Sequence, residues 1–94
     1  MTRIIEWDAA KAALNFRKHG VHFEEAALVF EDPLAASALE RIENNEERWQ
    51  TVGMVGGCLL LLVAHTVHVD EVEIIRIVSA RRADPTERKN YEHG

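Results

Sequence analysis

Apolar residues recur with a spacing near 3.6 over the first third of the chain. Beyond Pro33 they gather into runs rich in β-branched residues, so helices are predicted first and a sheet after them. Arg3 to Trp7 is a short apolar-rich run that reads as an edge strand. Asp8 then offers an N-cap oxygen to a helix running through Lys18. Ala10, Ala13, Leu14 and Arg17 share one face of that helix, with Ala9, Ala12 and Phe16 beside them, and Gly20 ends it. A second helix is predicted over Phe23 to Glu31, where Phe23, Ala26, Ala27 and Phe30 fall at i, i+3, i+4 and i+7. Asp32-Pro33 stops it, because the residue before proline avoids the helical region. The short loop between the two implies a helical hairpin.

Leu34 to Leu39 reads as a strand, followed by a polar turn at Glu43-Asn44-Asn45-Glu46 and a clearer strand from Glu47 to Val55. Gly56-Gly57 closes a hairpin onto Cys58 to Val67. Its leucine run is apolar on both faces and belongs in the middle of a sheet. Val72 to Ala80 pairs back across a turn at Val69-Asp70-Glu71. Asp84-Pro85-Thr86-Glu87 then combines an N-cap carboxylate, a proline at the first helical position and a glutamate at the third, a helix start. The resulting order of strand, two helices, three or four mostly antiparallel strands and a last helix is an α+β arrangement of one sheet with helices packed on it.

Ninety-four residues suit one small domain spanning 1–94. The longest stretch free of charge and strongly polar groups, Val52 to Ala64, is 13 residues with three glycines. A membrane span needs about 20. The N-terminus shows no apolar signal core. Cys58 is the only cysteine, which excludes an internal disulfide and a cysteine-based zinc site and points to a reduced, cytoplasmic setting. The net charge is −5, unevenly spread: residues 1–75 carry 6 basic and 13 acidic side chains, and residues 76–94 carry 5 basic and 3 acidic. An acidic chain does not favour nonspecific nucleic-acid binding. A local basic site from Arg76, Arg81, Arg82, Arg88 and Lys89 remains open, because charge effects are screened beyond about 8 Å at physiological salt.

Candidate chemistry is sparse. His65 and His68, three apart on a strand, point to opposite faces. His19 and His22 lie in a loop where they could approach one another, but no carboxylate or thiol completes a metal-ligand spacing, so no metal or cofactor is expected. Cys58 beside the leucines reads as a buried, inert thiol, and Ser79 lacks a nucleophile elbow. The arginines say more. Arg76 interrupts Ile74-Ile75-Arg76-Ile77-Val78, and strict alternation puts it on a face with Val72, Ile74, Val78 and Ala80. Arg81 then falls on the other face, and the two meet only if the strand bends. Arg48 could add a third guanidinium, a group whose paired N–H donors match phosphate oxygens. The competing role, which the residues alone favour, is structural pairing of Arg48 and Arg76 with Glu47, Glu73 or Asp32. Lys18 and His19 have a sufficient structural reason to sit at a helix C-terminus, where its dipole attracts cations. Histidine is also suited to general acid–base work. Tyr91 reads either as a packing residue or as a group that stacks on a base or donates to a phosphate.

Taken together, Glu6-Trp7-Asp8, the run from Asn15 to Phe23, Glu24-Glu25-Ala26 through Phe30, Asp32-Pro33, Glu47-Arg48-Trp49, the run from Arg76 to Ala83, Glu87-Arg88 and Tyr91 resemble the BrnT family. These are toxins of bacterial type II toxin-antitoxin modules. The resemblance implies a RelE-like fold and a metal-independent endoribonuclease that inhibits translation. It further implies neutralisation by a BrnA-type ribbon-helix-helix antitoxin and repression of the operon by the complex, with operator DNA held through the antitoxin. Two toxins on one antitoxin dimer are the expected assembly, since such antitoxins dimerise to bind DNA. Carried over, the family's functional positions are Lys18, His19, Arg48, Arg76 and Arg81, with Tyr91 beside them. A second hypothesis is a member that has lost nuclease activity and persists as a co-repressor. It draws support from Met54 to Cys58 and Val67 to Asp70, where relatives often carry basic residues and this chain does not.

Overall fold

A computed structural model describes residues 2–94. It contains strands β1 (Arg3–Trp7), β2 (Ala36–Glu43), β3 (Glu46–Val55), β4 (Leu59–Val69) and β5 (Glu73–Arg82). The helices are α1 (Ala9–His19), α2 (Phe23–Ala27) and α3 (Pro85–His93), with a 3₁₀ turn at Leu28–Glu31. The sheet order is β1-β5-β4-β3-β2; β1 runs parallel to β5 and the other three pairings are antiparallel, so the α+β expectation holds. The leucine-rich β4 is central, as its two-sided apolar pattern requires. No described helix is long and apolar enough to cross a membrane.

Local chemistry sets the boundaries. The Asp8 carboxylate accepts from the backbone N–H groups of Ala10 and Lys11, which holds its pKa below the usual aspartate value and starts α1. Gly20 ends α1 at φ 71°, a left-handed conformation that suits glycine, and its N–H returns to the Phe16 carbonyl. The predicted second helix is α-helical only to Ala27 and then tightens into the 3₁₀ turn. That turn lies hard against Gly53 of β3, where a Cβ would come within 2.7 Å of Val29 Cγ1. Pro33 and Leu34 form a turn rather than strand. Asp32 accepts the Leu34 N–H through its side chain and the Ala35 N–H through its carbonyl, so β2 begins only at Ala36 and runs on to Glu43. Asn44 and Asn45, at φ 53° and 62°, make the two-residue hairpin turn. The turn after β4 falls one residue later than expected, because Val69 still pairs with Glu73. Cys58 is exposed in the β3–β4 turn, not buried beside the leucines.

The core lies on one face of the sheet. Phe23, Ala26 and Val29 pack with Val21 onto Leu61, Val63, Ile77 and Ala80, and each large apolar side chain so buried contributes about 1.5–3 kcal/mol. The predicted stripe on α1 is not the buried one: Leu14 and Phe16 are exposed, and the inward side carries Ala12 and Asn15. Asn15 acts as a strand substitute. β1 pairs only as far as Ile77, and beyond it the Asn15 side chain accepts the Ala80 N–H and donates to the Ala80 and Val21 carbonyls. Asn15 therefore satisfies the Ala80 N–H and carbonyl where no neighbouring strand does. On the same face, buried His65 receives the Thr51 hydroxyl at Nε2 (2.7 Å) when its proton sits on Nδ1 towards the Thr66 carbonyl. Ser37 meets Thr51 in turn. Burial holds the His65 pKa below the usual histidine value.

Candidate nucleic-acid interface

The face of the sheet turned away from the core is built by pairing register. Glu6 lies opposite Arg76, Arg76 opposite Thr66, Thr66 opposite Arg48, and Arg48 opposite Arg41. Directly paired residues point to the same side, so three guanidiniums and one carboxylate line a single row across all five strands. Strands lie about 4.8 Å apart, which sets Arg76 and Arg48 roughly 10 Å from one another with Thr66 between them. Arg41 joins the row through an extra residue, Glu40, that shifts the β2–β3 register.

A second bulge corrects the strict-alternation reading of β5. Ala64 pairs with Ser79 but the next residue, His65, pairs with Ile77, so Val78 has no partner. The extra residue returns Ile77 and Ala80 to the core side and turns Arg76, Ser79 and Arg81 to the opposite one. The predicted alternation placed Arg76 with Val78 and Ala80 and parted it from Arg81. The bulge unites the two arginines and parts both from Ala80. Nor is Arg76 desolvated. It is exposed and meets Glu6 at 2.9 Å, a partner that is none of the three carboxylates expected.

Arg81 is held more firmly. Its two terminal nitrogens each donate to Glu87 of α3 at 2.8 Å, which raises the arginine's pKa and lowers the glutamate's. Glu87 also closes the capping box with Asp84, so one residue starts α3 and ties it to β5. Tyr91 donates to Asp32 at 2.6 Å, and this bond raises the phenol's pKa. Asp32 accepts the Met54 and Leu34 N–H groups as well, and its carboxyl lies below the usual range. Through these two latches α3 roofs the upper part of the face. A hollow of about 230 Å³ remains beneath it, lined by Ala36, Ala38, Gln50, Val52, Leu62 and Tyr91 among others.

Lys18 and His19 stand apart from the arginine row. They line a separate shallow hollow of about 210 Å³ with Lys11, Asn15, Val78 and Ser79, at the stretch of β5 edge where α1 replaces β1. Ser79 is the link, since it borders this hollow and faces the same side as Arg76 and Arg81. His22 stacks on Phe16 at 4.0 Å between ring centres rather than approaching His19. Among the described residues no three His, Cys, Asp or Glu side chains converge as a metal site. The structure therefore brings Arg48, Arg76 and Arg81 to one face and sets Lys18 and His19 at its rim. Tyr91 serves as a tether for α3. Sequence reading passed over Glu6, Arg41 and Thr66. Glu6 carried a signal, as a carboxylate alternating with Ile5 and Trp7, whereas Arg41 depends on a bulge that the sequence does not mark.

The chain matches, over residues 7–87, the model of a family described as the ribonuclease toxin BrnT of type II toxin-antitoxin systems. Its structure resembles the crystal structure of the Brucella abortus ribonuclease toxin BrnT with a TM-score of 0.61 and 27% sequence identity. The likeness covers 89% of this chain and 99% of that one. No curated protein matches the sequence. With most of its length matched to the family model and nearly all of a solved toxin's length matched to its fold, the chain belongs to the BrnT family of ribonuclease toxins of type II toxin-antitoxin systems.

Proposed function

We propose that this chain, as one RelE-like domain over residues 1–94, is a metal-independent endoribonuclease that halts translation in the bacterial cytoplasm. A BrnA-type ribbon-helix-helix antitoxin neutralises it. The observation that carries this reading is the arginine face, on which Arg48 and Arg76 flank Thr66 in one row and Arg81 faces the same side. RNA supplies its own nucleophile. When the 2′-hydroxyl attacks the adjacent phosphorus, the protein has only to take one proton, give another to the departing 5′-oxygen, and stabilise charge on the phosphoryl oxygens. His19 with Lys18 beside it is assigned the proton transfer, and the three arginines the phosphate. Tyr91, whose single hydroxyl proton is given to Asp32, is assigned the fastening of α3 over this face and neither proton transfer. Two toxins bound to an antitoxin dimer, repressing their operon through the antitoxin's grip on DNA, complete the reading.

The test is product analysis with RNA and chelator. Wild-type protein should cleave in the presence of EDTA and leave a 2′,3′-cyclic phosphate and a 5′-hydroxyl, while His19→Ala should lose cleavage and remain folded. A 5′-phosphate product would exclude the mechanism. The co-repressor reading has its own support, since Arg76 and Arg81 are both engaged by carboxylates of the same chain. Unimpeded growth of cells making the folded wild-type chain without its antitoxin would favour it.

A further inference from the structure

The helix-bearing face of the sheet is only half covered. Above the level of His65 the core packs against α2 and the 3₁₀ turn; below it, towards the β2–β3 and β4–β5 turns, cover thins, with Trp49 and Val67 half-buried and Val69 exposed. A hollow of about 340 Å³ opens there, floored by His65 and Ile75 and walled by Phe30, Trp49 and Val67. Leu39, Ile42 and Val69 extend it on the same face, exposed by 45%, 64% and 56%. Its rim is acidic. Glu47 and Glu73 face this side, and Asp70 and Glu71 lie in the adjoining turn. Arg3 pairs with Glu73, and among the described residues Glu47, Asp70 and Glu71 have no ion-pair partner.

We propose that this half-face is where the antitoxin docks, through a segment that seats an apolar side chain in the hollow and sets lysines or arginines against the rim. The inference rests on the antitoxin partner in the reading above and is independent of the nuclease chemistry. Three unpaired carboxylates repel RNA phosphates, which belong on the opposite face. They also disfavour a second copy of this chain, because a two-fold contact would set the same carboxylates against each other. A cationic segment with apolar anchors meets both features at once. The outer edge of β2, exposed along its whole length, adjoins the patch and leaves such a segment room to extend.

The experiment titrates the purified antitoxin, taken from the small reading frame adjoining the toxin gene, into wild-type toxin, Val69→Lys, Ile42→Lys, and the double variant Glu47→Lys/Glu71→Lys. All four positions are exposed, and circular dichroism verifies folding. Each apolar variant should weaken binding about tenfold or more, as loss of an anchor does. The charge-reversed double variant should weaken it and flatten its salt dependence. RNA cleavage by the free variants should equal that of wild type. Unchanged affinity in all three variants overturns the proposal, as does a wild type that does not bind this antitoxin. A wild-type dimer that Val69→Lys dissociates, with antitoxin affinity untouched, assigns the patch to a second copy instead. A wild type that binds the antitoxin through this patch but cleaves no RNA refutes the nuclease and leaves the docking site standing.

Discussion

The two faces of this sheet draw on the same strands and treat polar groups in opposite ways. On the helix-bearing face Asn15, Thr51 and His65 are buried, and each hydrogen-bonds a defined partner. On the other face charged residues join neutral Thr66 in one row, and Glu6 and Arg76 meet there while exposed. A buried polar group left without its partner loses the full desolvation cost, whereas an exposed ion pair contributes about 0–1 kcal/mol. Polar residues on the first face are thus fixed by the fold, whereas Arg76 on the second is exposed, and substituting it should disturb stability little.

The largest expected effect tests the first half of that contrast. Asn15→Ala strands the Ala80 N–H and carbonyl at the β5 edge and the Val21 carbonyl of the α1–α2 loop, and should destabilise the protein by roughly 3–5 kcal/mol, read from urea unfolding. A loss below 1 kcal/mol would mean that water replaces the amide and that the face is less dry than its packing indicates. Arg76→Ala is the mirror experiment. Cleavage of RNA should fall about 100-fold, as when one transition-state donor is removed, with unfolding shifted by less than about 1 kcal/mol. If stability and activity fall together, Arg76 is a structural residue and the contrast between the faces fails.

His65 provides a smaller test through pH. Its pKa in the folded protein lies below the ordinary histidine value of about 6.5 because the ring is buried, so the unfolded chain takes up the proton first. The stability that the neutral ring supplies is complete above about pH 6.5 and declines as pH falls towards the folded value, where the decline levels off. His65→Gln keeps an acceptor for Thr51 and removes the titration. The stability difference between wild type and this variant should therefore narrow from pH 7 to pH 5. A difference that does not change with pH would show that the ring is not held neutral.

The element boundaries of this fold are largely legible in the sequence alone. Asp8, Gly20, Asp32-Pro33 and the Asp84 to Glu87 box announce element boundaries because capping is local chemistry among a few neighbouring residues. The apolar run of β4 announces its central place for the same reason. What alternation could not supply is the position of a bulge. One unpaired residue, Val78, exchanges the faces of everything after it, and it is defined by pairing with β4, a strand distant in sequence. The buried role of Asn15 was hidden likewise, since its partners lie 6 and 65 residues away. Arg48, Arg76 and Arg81 stand out from the residues alone, and the family resemblance shifts the reading of Arg48 and Arg76 from ion pairs to function; the common face of Arg76 and Arg81 comes from the bulge.

The finest test concerns Arg81, which shares the face of Arg76 yet is gripped like a structural residue. Glu87→Gln is the suitable change because glutamine keeps an oxygen for the Asp84 N–H and so preserves the start of α3 while removing the charge that faces Arg81. The pair is partly exposed, with side-chain accessibilities of 39% and 21%, so its loss should lower stability by no more than about 1 kcal/mol. If Arg81 belongs to the phosphate face, removing its internal anion frees one guanidinium, and RNA should bind roughly fivefold tighter at low salt, the worth of one nearby charge in water. If Arg81 only fastens α3 to the sheet, RNA affinity should stay level while the thermal midpoint falls. The sign of the affinity change therefore decides whether the Val78 bulge delivers two arginines to the ligand or one to the ligand and one to the helix.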